Sequence, residues 1–182
     1  MSTKFLPLII FITFTNLTNS QISQGYERMV SDNDPNFKDY ELLMYEASEY
    51  LLTNPINPKS NDFQKSIKII DFWKNKDTGV NIPILGKFYT ALPEEGPHRY
   101  FYMIAMINHV LSEKLNNSRI LKCVKIDGKK YSEQKDVKEV QIEGAKIFLN
   151  YAKDKKNGII LDSEAKKYLK AYKNGKLDKI FF

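Results

Sequence analysis

One cysteine, two histidines and one tryptophan in 182 residues leave little room for most familiar site chemistries. Cys123 is alone, so it cannot close a bridge within the chain. It reads as a small buried apolar residue, or as a thiol that pairs with another chain. His98 and His109 lie eleven residues apart in one helical stretch, which separates them by about 16 Å of helix rise. They cannot share a metal ion, whose ligands sit about 2 Å away. The chain has no His-Glu-x-x-His or Cys-x-x-Cys motif, no phosphate-binding glycine-rich loop and no Gly-x-Ser-x-Gly elbow. No metal and no cofactor is expected. A thiolate–imidazole pair from Cys123 and His109 would depend wholly on the fold, because spacing says nothing about such pairs.

Arginine is also scarce. Residues 101–182 carry 18 basic and 10 acidic side chains, a net of +8, and Arg119 is the one arginine among them. Residues 21–100 carry 9 basic and 12 acidic groups. The basic half fits either a lysine-rich solvated surface or a face for an anionic partner such as lipid head groups or an acidic polymer. Nucleic acid is not the expected partner, because phosphate and base sites recruit arginine for its bidentate fork.

Beyond Phe14 no apolar run is long enough for a membrane span, so no transmembrane segment is expected after signal removal. The chain begins with a short positive region, Met1–Lys4, then the apolar run Phe5–Phe14. Thr18-Asn19-Ser20 places small residues before Gln21. This is the layout of a secretory signal peptide over residues 1–20, with the product periplasmic or extracellular. No cysteine follows the cleavage point, so no lipoprotein anchor is expected.

After a polar lead-in over 21–35, expected to be flexible, the apolar spacing predicts one helical domain over 36–182. The centre is Pro97–Leu115, apolar at nearly every position except Asn108 and His109. A helix apolar on most sides is buried with partners on several faces. Around it the pattern predicts helices at 36–53, 61–74, 84–92, 133–153 and 163–175. Ser60 or Asn61, Ser132, and Asp162 or Ser163 are the expected caps. Gly144 sits mid-helix, where glycine costs about 1 kcal/mol relative to alanine; a close helix–helix approach is the expected reason. Leu121–Tyr131, with Asp127-Gly128 at its turn, is a candidate small β-hairpin. The fold class is therefore all-α: an irregular bundle or stacked α-hairpins of five to six helices, with that one hairpin added. The terminal Ile180-Phe181-Phe182 is expected to dock onto the core.

Two places stand out as a ligand or partner surface. Trp73 is the sole tryptophan, either a core anchor or a binding residue. Glu94 and Glu95 beside His98 and Arg99 form a charged cluster at a helix start, either a solvated turn or an acid/base pair in a mouth between helices. The eleven tyrosines and eleven phenylalanines pack one core, or line a groove for a peptide, glycan or apolar ligand.

In Trp73–Pro83 (WKNKDTGVNIP), Asn116–Lys122 (NNSRILK) and Glu143–Tyr151 (EGAKIFLNY), the chain resembles small secreted helical proteins of Bacteroidetes-type bacteria. The resemblance implies an envelope address and an all-helical domain, and no catalytic residues. The expected function is a non-enzymatic binding or interaction module with an envelope protein as partner. The alternatives are a carrier of an apolar or anionic lipid-like ligand, and a small hydrolase with an acidic cleft.

Overall fold

The computed structural model describes residues 17–181. Residues 1–16, which hold the apolar run of the expected signal peptide, and Phe182 lie outside that range. Among the described residues there are eight α-helices and no strand: α1 Leu17–Ser31, α2 Glu41–Thr53, α3 Asn61–Lys74, α4 Lys87–Ala91, α5 His98–Asn117, α6 Lys135–Ala152, α7 Ser163–Lys173 and α8 Asp178–Phe181. They form an irregular helical bundle.

The apolar stretch becomes α5, buried on most of its circumference by Phe101, Tyr102, Ile104, Met106, Val110 and Leu111. It packs between α2 and α6. Its polar interruption Asn108 is buried and satisfied, donating to Ser48 Oγ at 3.0 Å and Glu49 Oε1 at 2.7 Å on α2. Gly144 lies where α6 crosses α5. A Cβ there would stand 2.5 Å from Met106 Cγ and 3.1 Å from the Met106 backbone. The close approach expected from the glycine is present.

The aromatics form the core. Phe88 of α4 meets Tyr102, Tyr168 and Phe148 edge-on at centroid distances of 4.9, 4.9 and 6.0 Å. Phe181 of α8 closes the cluster 5.5 Å from Phe88 and is buried. Phe101 stacks on Tyr151 at 5.3 Å. Of the expected terminal dock, Phe181 seats in the core, whereas Ile180 is 39% exposed.

Five expectations need correction. Residues 21–31 are not a loose lead-in but the body of α1. Ile22 and Met29 are buried there, and Gly25 lies against Leu43 of α2. Ile22, Gly25, Tyr26 and Met29 make an i, i+3, i+4, i+7 stripe, short of apolar residues but correctly spaced. With the short α8 this raises the helix number above five to six. The helix expected from Ile84 starts only at Lys87, because Gly86 holds φ at +96°, outside the helical region. Ser132 does not cap α6; it lies in a 3-10 turn, and the residue before the helix is Gln134.

Leu121–Tyr131 forms no hairpin. The Asp127-Gly128 turn is made, with Lys129 N bonded to Ile126 O at 3.1 Å and Gly128 at φ +73°. The backbone on either side finds side chains rather than a second strand. Lys122 N donates to Asp136 Oδ2 at 2.7 Å, and Tyr131 Oη donates to Cys123 O at 3.0 Å. The Gln134 amide, turned so that both contacts are satisfied, donates to Val124 O at 2.9 Å and accepts from Ile126 N at 3.3 Å. A two-stranded ladder alone is marginal; here its polar groups are taken up by the start of α6.

Candidate functional site

The end of α3, the extended segment 78–84 and one side of α5 enclose an open groove of about 320 Å³. The chain leaves α3 at Asn75 and runs extended because Pro83 disfavours helical geometry in the residue before it. Thr78 is buried and its Oγ1 accepts from Val80 N at 3.3 Å, fixing the entry of the segment. Val80, Ile82 and Ile84 then line one wall, and Met103 and Ile107 of α5 line the other. Ile84 remains 49% exposed at the lip. Trp73 borders the floor. Its ring is 2% exposed and its Nε1 donates to Phe37 O at 3.3 Å. It is thus a core anchor with one edge on the groove. The cation at the rim, Lys74, is held 2.8 Å from Asp71 and 5.0 Å over the Tyr100 ring. Tyr100 donates to the same Asp71 carboxylate at 2.9 Å; burial first, and that carboxylate second, push its phenol well above the usual range.

The other residues singled out in the sequence lie at the start of α5, and none lines any of the five principal cavities among the described residues. Arg99 Nη1 donates to Glu94 Oε1 at 2.9 Å, its Nε donates to Leu92 O at 3.0 Å, and its guanidinium covers the Tyr89 ring at 4.7 Å. His98 Nε2 lies 2.9 Å from Ile160 O. A carbonyl only accepts, so Nε2 carries the proton. Glu95 is exposed, and the Glu94 carboxylate is 81% exposed. These side chains pin the turn before α5 to its neighbours. They do not gather a general acid and base about one cavity.

A second charged group was not legible in the sequence. Arg119 bonds both oxygens of Glu139 at 2.5 Å and reaches Glu113 Oε2 at 3.1 Å, while His109 Nε2 lies 3.7 Å from Glu139 Oε1. These contacts tie α5, the loop after it and α6 together. The Arg119 hydrogen bonds hold the Glu139 carboxyl below the usual carboxylate range against an opposing effect of burial. Cys123, nearby, is buried. Burial first, then the negative charges of Asp136 and Glu139, push its thiol up to about 11. It is therefore a thiol at neutral pH, whereas nucleophilic cysteines need a depressed value.

The sequence contained the groove's signal only as Val80-x-Ile82-x-Ile84, an apolar alternation inside a loop. That α5 lies beneath it is a tertiary fact with no local trace. Comparison with protein-family models, curated proteins and solved structures returned no match for the chain.

Proposed function

We propose that the chain is an exported, non-enzymatic binding module of the cell envelope, and that its groove beside Trp73 takes a short apolar segment of a partner protein. The observation that carries this reading is the lining of the groove: Val80, Ile82, Ile84 and Met103 leave apolar surface uncovered, with the buried Ile107 behind them. At about 320 Å³ it sits at the low end of the 300–1,000 Å³ typical of small-molecule sites, and it is not closed off from solvent. Such a shape suits a few apolar side chains of a partner better than an enclosed ligand. Export is supported by the Met1–Ser20 pattern.

A carrier of a lipid-like ligand is the second reading. It is favoured by the apolar walls together with Lys74 at the rim, where an anionic head group would meet a cation. The aromatic core weighs against it, because Phe88, Tyr102, Phe148 and Phe181 fill the space between helices with one another. An acidic-cleft hydrolase draws no support from Glu94 and Glu95 as placed.

Native followed by denaturing mass spectrometry of the protein from its own host envelope tests the proposal. The denaturing mass should correspond to a chain starting at Gln21. The native spectrum should contain a complex that an Ile84→Asp variant loses. A compound of low mass bound to the wild type would favour the carrier, and a bare monomer from gently solubilised envelope would contradict both readings.

A further inference from the structure

The loop between α5 and α6 presents apolar side chains to solvent by construction. Leu121 and Cys123 point inward and are buried, so the alternate residues point out. Ile120 is 65% exposed, and Val124 and Ile126 are nearly half exposed. The loop is not slack, since Asp136, Tyr131 and Gln134 take up its backbone groups. Lys122 and Lys125 alternate with the three aliphatics, and Lys129 follows the turn that carries an acid, Asp127; all three lysines are exposed and none is in an ion pair among the described residues. Some lysines elsewhere in the basic half are in ion pairs, as in Lys114–Glu41, Lys146–Glu143 and Lys167–Glu164, so what marks this loop is the combination of its lysines with exposed aliphatics. The loop then runs into a cavity of about 370 Å³ whose lining includes Lys87, Lys130 and Ser132. The one acid in that lining, Glu133, faces Lys130 at 3.2 Å.

We infer that this loop is a docking surface for an anionic lipid bilayer: Val124 and Ile126 enter the acyl boundary, and the surrounding lysines meet the head-group phosphates. Aliphatic tips with flanking lysines combine the two weak signals that together hold a protein at a charged membrane. A nucleic acid would not explain the aliphatic tips, and Arg119, the nearest arginine, is occupied by Glu139 and Glu113. The inference is independent of the groove beside Trp73.

The test places a reporter at the tip. In the full chain, Ile126→Trp is titrated with vesicles of phosphatidylcholine alone and with vesicles containing phosphatidylglycerol; Trp73, being buried, supplies a constant background. The expected result is a blue shift, and quenching by brominated acyl chains, with the anionic vesicles only. Lys125→Glu with Lys129→Glu in the same background should weaken that titration by more than about tenfold. Because the reporter is local, the apolar run Phe5–Phe14, common to both proteins, does not decide the reading. Circular dichroism checks that each variant folds. An unshifted spectrum with anionic vesicles would overturn the inference. So would an equal shift with neutral vesicles, or a shift without vesicles that grows with protein concentration, which would mean a second copy covers the loop.

Discussion

At the scale of single residues, the most exacting position is Gly144. Alanine there would gain about 1 kcal/mol in helix propensity. Its Cβ would meet Met106 backbone atoms at 3.1 Å, which cannot move without separating α5 from α6. Overpacking of this kind costs about 1–3 kcal/mol. Gly144→Ala should therefore bring no gain and lower stability by up to about 2 kcal/mol in urea unfolding, unlike alanine at a solvent-facing glycine, which stabilises. This residue was legible, because a glycine with no capping duty in the middle of a strong helix points to a neighbour packed too close for a side chain.

Glu139 was not legible, since its partners come from α5 and the loop. Its folded carboxyl sits below the ordinary value, so it stabilises the fold above that value, and the contribution fades as pH falls through the folded one. Glu139→Gln should flatten the acid limb of the stability–pH curve below the ordinary carboxylate value, measured by urea midpoints. Cys123 has the opposite sign. Its raised value means that stability is present below about pH 8.5, where an unfolded thiol begins to ionise, and falls as pH rises through about 11. Alkylation of Cys123 at neutral pH should be slow in the native protein and fast in urea.

At the scale of elements, helices with a full apolar stripe and a side-chain cap stood out. Ser60 and Asp162 cap α3 and α7, accepting from Phe63 N at 3.4 Å and Ala165 N at 2.8 Å. Asp162→Ala should cost about 1 kcal/mol, loosening the helix that sets Tyr168 against Phe88. The first helix was hidden because its stripe holds only Ile22 and Met29 as large aliphatic or thioether anchors; it is stabilised by lying on α2 and α3, with Glu27 3.3 Å from Lys65 of α3. The hairpin was misread for a related reason. Alternation along 121–126 correctly marks an extended segment with inward Leu121 and Cys123, but not whether a strand or a set of side chains satisfies its backbone. Asp136→Ala should speed amide exchange at Lys122 locally, while the global unfolding midpoint shifts by less than about 1 kcal/mol equivalent.

At the scale of the whole molecule, the pairing of α5 with α6 and the insertion of α2 against α5 set everything else, and both are non-local. Composition and periodicity were enough to establish an all-helical chain around the 98–117 helix. They did not show that the 78–84 segment would lie across α5, because Val80, Ile82 and Ile84 acquire meaning only against Met103 and Ile107. Glu94, Glu95, His98 and Arg99 attract notice as a sequence cluster, yet the fold uses Arg99 and His98 as fasteners to Leu92 and Ile160. The uncovered apolar surface lies instead in places where charge is thin or unpaired: the groove beside Trp73 and the loop before α6.

Site-specific photo-crosslinking in the native host tests the proposed role of the groove most directly. A photoreactive amino acid at Ile84, on the lip, should yield a discrete adduct with one envelope protein, and the same group at Ile160, 81% exposed and away from the groove lining, should not. No adduct at Ile84, or the same adducts from both positions, would contradict the assignment of the groove as the partner surface.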